Sequence, residues 1–304
     1  MQMNMMFGVK LMSNKDYKCG YVAIIGRPNV GKSTLLNKIL GQKIVIATDK
    51  AQTTRRRIKG ILTTDRGQII FIDTPGVHKP INNFGQTLVD EAKFAIPDSD
   101  LILFLVDAST SAGRGDKWVV SNLLDVKTPI IIVYNKVDLI KDQIKREENI
   151  ISYKLLFNKN LPSAKISAKT GRNLDTLLDE IYSKLPVGEK IYDDEEVTDE
   201  TMRDVATEIV REKILENTND EVPHCVYTEI EKYEETNDID RIYITIFVEQ
   251  ESQKGIIIGK KAAMIKKIGT EARQELEKIA DKKVFLDLQV KVKKDWRKKA
   301  TAKK

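Results

Sequence analysis

Short apolar runs recur along the first 185 residues, at Tyr21–Ile25, Ile69–Ile72, Leu101–Val106 and Ile130–Tyr134. They are rich in Ile, Val and Leu and lack clean period-two alternation. That is the pattern of strands buried on both faces, as in a parallel sheet covered by helices. Arg57–Leu62 alternates better, and Thr64-Asp65-Arg66-Gly67 separates it from the next run. This predicts a hairpin and one antiparallel edge strand. Amphipathic stretches at Phe84–Ala95 and Leu174–Leu185 complete an order that predicts a doubly wound α/β domain over residues 1–185, its ordered part from about 18. Leu185-Pro186-Val187-Gly188 stops the last helix, and a linker is expected over 186–200. Beyond it the pattern reads helix (Thr201–Leu215), strand (Val222–Lys232), turn (Glu235–Asp238), strand (Arg241–Gln250), helix (about Ala262–Ile279) and strand (Val284–Val292). In the second of these strands Ile242, Ile244, Ile246 and Val248 share one face. The short, segregated order predicts an α+β module over 201–304, with no internal repeat and no low-complexity tract except the Lys-rich tail.

Composition narrows the class. Of 304 residues, 41% are hydrophobic, enough for two cores and too many for a wholly disordered chain. The longest apolar run, Leu101–Val106, is far shorter than the ~20 residues a membrane-spanning helix needs. The Met-rich start is interrupted by polar residues before any signal-peptide core develops. Cys19 and Cys225 lie far apart, outside any CxxC, and His78 and His224 are the only histidines, so a structural zinc site is not expected. Free thiols suit a reducing, cytoplasmic setting. The net charge of +6 hides an asymmetry: Glu189–Glu200 carries −6 and Lys282–Lys304 carries +8. A basic end on a near-neutral body suits a polyanion, either nucleic acid or an anionic membrane surface.

Candidate chemistry sits at the ends of the predicted strands. Gly26-Arg27-Pro28-Asn29-Val30-Gly31-Lys32-Ser33 matches GxxxxGK[ST] in full, after the strand Tyr21–Ile25 and before a helix opening at Thr34. Gly26 and Gly31 permit backbone conformations that turn successive N–H groups onto phosphate oxygens, and the helix N-terminus adds its positive end. Lys32 supplies a point charge for the β and γ phosphates, and the Ser33 hydroxyl suits Mg²⁺. Asp73-Thr74-Pro75-Gly76 follows the strand Ile69–Ile72, placing a second Mg²⁺ ligand at Asp73 and a γ-phosphate donor at the Gly76 amide. Asn135-Lys136-Val137-Asp138 follows Ile130–Tyr134. The Asp138 carboxylate can accept from the ring N–H and exocyclic amine of guanine, donors that adenine lacks on that edge, and Lys136 can cover the base plane. Ser167-Ala168-Lys169 offers backbone N–H groups to the guanine carbonyl.

These four elements in order are the signature of a P-loop GTP-binding domain. With Ala51-Gln52-Thr53-Thr54-Arg55 and a C-terminal module containing Gly259-Lys260-Lys261-Ala262, the chain resembles the Era-type ribosome-assembly GTPases over essentially its whole length. The resemblance implies a mobile loop at about Gln42–Arg55, in which Thr54, or alternatively Thr53, closes on Mg²⁺ when the γ-phosphate is present. Val77 stands where many GTPases carry a water-orienting Gln, so slow intrinsic hydrolysis is expected. Asn29 occupies the position that binds K⁺ in related GTPases with an apolar residue there, and a cation near the β and γ oxygens would offset developing charge. Lys32, Thr54, Gly76 and Asn29 are therefore the expected catalytic set.

The C-terminal module looks like a type II KH domain, whose GxxG loop clamps single-stranded nucleic acid. Ile257, Ile258, Gly259, Lys260, Lys261 and Ala262 are the expected RNA contacts, with an apolar groove from Ile256–Ile258 and Ile265 for unstacked bases. Ala262 departs from the family's last glycine. In the tail, Lys293 and Arg297 can meet phosphates and Trp296 can stack on a base; a solvated strand end is the alternative. The resemblance implies a monomeric cytoplasmic switch, controlled by GTP and GDP, that binds 16S ribosomal RNA and assists maturation of the 30S subunit. A peripheral contact with anionic membrane is also expected from the basic end. Two other classes stay open: a GTPase of cell-cycle or membrane signalling with RNA secondary, and a constitutive RNA binder whose nucleotide domain only adds stability.

Overall fold

The computed structural model describes residues 16–46, 57–76, 96–157, 160–219, 222–294 and 296. The helix expected at Phe84–Ala95, both candidate threonines Thr53 and Thr54, Val77 and Arg297 lie outside the described residues.

A six-stranded sheet carries the first domain. Its strands are β1 (Lys18–Ile25), β2 (Ile58–Thr64), β3 (Gly67–Asp73), β4 (Leu101–Asp107), β5 (Ile130–Asn135) and β6 (Ser163–Lys165), in the spatial order β2-β3-β1-β4-β5-β6. All neighbours are parallel except the β2–β3 hairpin, whose register runs from Ile58 opposite Asp73 to Thr64 opposite Gly67. The missing alternation has its reason here. Val22, Ile24, Leu103 and Val133 point into one core with α1 (Lys32–Leu40) and α4 (Leu174–Lys184). Ala23, Ile25, Phe104 and Ile132 point into a second core with α2 (Arg114–Ser121) and α3 (Gln143–Lys154). Both faces of each central strand are dry, so both parities must be apolar. The sheet is a mixed, doubly wound one.

The segment 186–200 does not hang free. Cys19 N–H donates to the Pro186 carbonyl at 3.1 Å, and Ile61 N–H donates to the Val197 carbonyl at 2.9 Å. The buried Gln68 side chain accepts from the amides of Ile191 and Tyr192, both at 2.9 Å. The stretch therefore runs as a strap along the β2–β3 hairpin, with Asp193–Glu196 exposed.

The second part is a three-stranded sheet, β7 (Tyr227–Glu234), β8 (Ile239–Val248) and β9 (Lys283–Val292), in that order. β7 and β8 are antiparallel, while β8 and β9 are parallel. Helices α5 (Met202–Asn217) and α8 (Ala263–Ala280) bury Ile209, Val210, Ile268 and Leu276 against Ile242, Ile244, Ile246 and Val248. Two expectations are corrected. Val222–Cys225 forms a short helix, α6, rather than the start of a strand, because Pro223 suits a helical first turn and cannot donate to a ladder. An additional helix, α7 (Glu251–Ile258), precedes the Gly259 loop. Gln253 Oε1 caps it, accepting from the amides of Glu249 and Gln250 at 3.0 Å. With α7 in place the order of the second part is α5-α6-β7-β8-α7-α8-β9.

Candidate nucleotide site and nucleic-acid cleft

β1 lies between β3 and β4, and the chain leaves it first toward β3 and later toward β4. The carboxyl ends of these strands border the crevice where open α/β sheets bind ligands. Residues 26–31 leave β1 there and turn into α1. Gly31 has φ 98°, and a Cβ on it would lie 2.4 Å from Asn135 Nδ2, so only glycine fits. Lys32, only 6% exposed, donates through Nζ to the carbonyls of Gly26 at 3.4 Å and Arg27 at 3.3 Å. Burial pushes this ammonium down while Asp73 opposes the shift. A buried cation on two long contacts is poised to take an anion in their place.

Ser33 Oγ donates to Asp73 Oδ2 at 2.9 Å. A hydroxyl and a carboxylate meeting at a helix start are hard oxygen donors of the kind Mg²⁺ uses, so the residues fit that ion. Thr74 Oγ1 donates to the Ile24 carbonyl at 2.8 Å, fastening the Asp73–Gly76 turn to β1. Pro75 completes that turn. Gly76 lies against the phosphate loop: a Cβ there would come within 2.8 Å of Pro28 Cα. Val30 is buried, Thr34 is half-buried on α1, and Asn29 is exposed with φ 63°.

The base end is built around Asn135, which is 2% exposed. Its Nδ2 donates to the Val30 carbonyl at 2.8 Å, and its Oδ1 accepts from Ala168 N–H at 2.9 Å. One side chain thus joins the phosphate loop to the Ser167–Lys169 lip. A guanine carbonyl must therefore share the Ala168 amide with Asn135, and Ser167 N–H donates to the Arg172 carbonyl. Lys136 Nζ donates to Asp107 Oδ2 at 2.8 Å, which fixes its stem beside the exposed Asp138. Burial would raise the Asp107 carboxyl, but Lys136 and the Ser109 hydroxyl and amide outweigh it and hold it below its ordinary value.

Two partners had little or no signal in the sequence. Arg27 Nε donates to Asp116 Oδ1 at 2.6 Å; Asp116 is fully buried at the start of α2 and also accepts from Gly113 N–H at 2.8 Å. Asp107 was the other, and only its place at a strand end hinted at it.

In the second domain Gly259, with φ 72°, ends α7, and Lys260–Ala262 form one tight turn leading into α8. Lys260 and Lys261 are exposed. Lys261 and Ala262 both sit in the left-handed region, at φ 52° and 60°. Beside this loop α8 and β9 border an open cleft of about 390 Å³, floored by Ile265, Leu286 and Leu288 and edged by Lys266, Thr270 and Arg273. Gly269 on α8 faces the same space. An apolar floor with cationic edges suits unstacked bases and their phosphates.

The structure separates three expected RNA contacts from this cleft. Ile257 is fully buried and belongs to the domain core. Trp296 is 6% exposed, donates through Nε1 to the Cys225 carbonyl at 3.0 Å and packs on Tyr227. It is packed into the domain and has no face open for a base. Lys293 is exposed, but its ammonium stands over the Phe247 ring at 4.9 Å, on the sheet face away from the helices. Ile258 is half-buried at the loop. Among the described residues no group of His, Cys, Asp and Glu is arranged as a metal cluster, and no helix is long and apolar enough to cross a membrane.

Comparison with known proteins matches both halves. The family described as 50S ribosome-binding GTPase matches residues 21–136, and the KH domain family matches residues 221–297. A GTPase Era of Caldanaerobacter subterraneus subsp. tengcongensis is 48% identical over 92% of this chain and 94% of its own length. That of Thermoanaerobacter sp. is 47% identical over 94% of each. A point variant of Aquifex aeolicus Era bound to GDP and AlF4⁻ superposes with a TM-score of 0.88 at 40% identity, covering 92% of this chain and 95% of that one. An Era complex with MgGDPNP and nucleotides 1506–1542 of 16S ribosomal RNA superposes with a TM-score of 0.87 at 40% identity, with the same coverage.

Proposed function

The chain belongs to the Era family of GTPases, and from that premise we propose that it is a GTP-controlled switch on 16S ribosomal RNA that assists maturation of the 30S subunit. The nucleotide domain binds GTP and hydrolyses it to GDP and phosphate. Asn135 carries this reading: one buried side chain clamps the phosphate loop to the base lip, so triphosphate and guanine are recognised as a unit.

Each group has a task that its position allows. Lys32 exchanges its two carbonyl contacts for phosphate oxygens, aided by the α1 N-terminus. Ser33 and Asp73, with Thr54 or alternatively Thr53 from outside the described residues, are the groups that would hold Mg²⁺. When bound, that ion neutralises charge shared by the β and γ phosphates. The Gly76 amide faces the terminal phosphate, and Asp138 reads guanine. Water attacks the γ-phosphorus, the bond to the β–γ bridging oxygen breaks, and the electron pair leaves with GDP. Val77 cannot orient that water, so turnover is slow without help. Asn29 is the group that would hold K⁺, whose charge would offset that developing on the phosphates. In the second domain the Gly259–Ala262 loop takes the RNA backbone, and the cleft beside it takes unstacked bases. We place the protein in the cytoplasm; a peripheral contact with anionic lipid would be made by the basic tail.

Calorimetry in Mg²⁺ should show uptake of GTP and GDP and none of ATP. Hydrolysis should be faster in KCl than in NaCl at equal ionic strength, and Asn29→Ala should abolish the difference. Equal rates in both salts would remove the K⁺ assignment. Identical RNA affinity with GDP and with a GTP analogue would remove the switch and leave a constitutive RNA binder.

A further inference from the structure

The sequence names two binding sites but no connection between them. The structure supplies one. Gly41 ends α1 in the left-handed region at φ 70°, and the chain continues through Lys43–Val45. Asn37 on α1 fixes that stretch. Its Oδ1 accepts from the amides of Ile44 and Val45 at 3.0 Å, and its Nδ2 donates to the Val45 carbonyl at 2.7 Å. Lys43 therefore moves with the helix whose first residues are Lys32 and Ser33.

The Lys43 ammonium leaves its own domain. It bonds both Glu212 on α5 and Glu275 on α8, positions 169 and 232 residues away. Lys213 braces the same carboxylates from the other side, at 2.8 Å from Glu275 and 3.6 Å from Glu212. Glu212 is 1% exposed, while Glu275 at 19% and Lys43 at 31% keep contact with solvent. Burial pushes Glu212 up against the pull of Lys43. Burial would also raise Glu275, but the two lysines hold it below its ordinary value. α8 begins at the Gly259–Ala262 loop and bears Ile265, Lys266 and Arg273 of the cleft, with Glu275 just beyond them. One charged side chain thus bridges the helix under the phosphates and the helix that edges the RNA cleft.

We propose that Lys43 is the residue that couples the two sites: making or breaking its contacts with Glu212 and Glu275 lets the nucleotide state set RNA affinity. The inference rests on the switch reading above and assigns its connection. Asn37 ties the Lys43–Val45 stretch to α1, whose first turn carries Lys32 and Ser33, so nucleotide binding bears on the latch. Coupling of this kind is reciprocal: RNA must change nucleotide affinity by the same factor.

The test uses the full chain, Mg²⁺ and a fluorescein-labelled oligoribonucleotide with the sequence of nucleotides 1506–1542 of 16S ribosomal RNA. RNA affinity is measured by anisotropy at saturating GDP and at saturating GDPNP, and the ratio of the two is the observable. Lys43→Met keeps the aliphatic stem and removes the charge. Its ratio should fall to within about twofold of one, and RNA should no longer shift the affinity for GDP or GDPNP. Glu275→Gln, at the more exposed partner, should give the same loss, and the double variant should lose no more than either single one. A variant pair that folds and keeps the wild-type ratio overturns the coupling role alone. A wild-type ratio of one overturns the switch reading, and the coupling with it.

Discussion

Replacing Asn135 with alanine tests how far the nucleotide site is one cooperative object. The side chain is 2% exposed and satisfies two buried backbone groups, the Val30 carbonyl and the Ala168 amide. Alanine leaves both without that partner. Each buried unsatisfied group costs ~1–3 kcal/mol, and water entering the small void recovers part, so a net loss of about 3 kcal/mol is expected. For a domain of this size, that lowers the thermal midpoint by ~6–12 °C. The assay is calorimetric or circular-dichroism melting with and without GDP and Mg²⁺. Ligand stabilisation grows as RT ln(1 + [L]/Kd), so a weakened site also shrinks the shift that GDP produces. Asn135→Asp separates the two bonds: it keeps the acceptor for Ala168 but sets a carboxylate against the Val30 carbonyl. It should therefore weaken nucleotide binding at least as much as alanine does. An Asn135→Ala protein that melts within about 2 °C of wild type and binds GDP normally would refute the argument, because neither bond would then matter.

Further outcomes follow from single residues. Ala262 holds φ 60°, a left-handed conformation that costs an L-residue roughly 1–2 kcal/mol, so Ala262→Gly should raise the urea midpoint of the C-terminal domain by about 1 kcal/mol of stability and tighten RNA binding; a loss of stability would count against this reading. Asp107→Asn should destabilise the nucleotide domain at pH 7, because it removes the carboxylate that Lys136 and Ser109 hold below its ordinary value of 3.8. A depressed carboxyl contributes its stability above the unfolded value and loses it as pH falls through the folded one, so the deficit should shrink below about pH 4 in melts from pH 7 to pH 3. A deficit that grows with acid would contradict the sign.

Much of the architecture was legible in the chain because local chemistry reports it. The phosphate loop needs glycine at Gly31 to turn, and the carboxylates Asp73 and Asp138 follow strands that read as continuous apolar runs. The β2–β3 hairpin announced itself through alternation and an Asp-Arg-Gly turn. Helix α7 did not, since Gly255 and polar residues hide its period; only the spacing from Gln250 to Gln253 marked its start. Val222–Lys232 read as one strand because apolar spacing alone cannot weigh Pro223.

The sequence by itself determined which groups can meet a phosphate, a magnesium ion and a guanine, since those requirements are met by residue type at short spacing. Tertiary structure alone decided that Asn135 clamps two loops, that Trp296 is an anchor rather than a stacking platform, and that Lys43 reaches carboxylates 169 and 232 residues away. Burial and long-range pairing depend on which surfaces the folded chain brings together, and no local pattern records that.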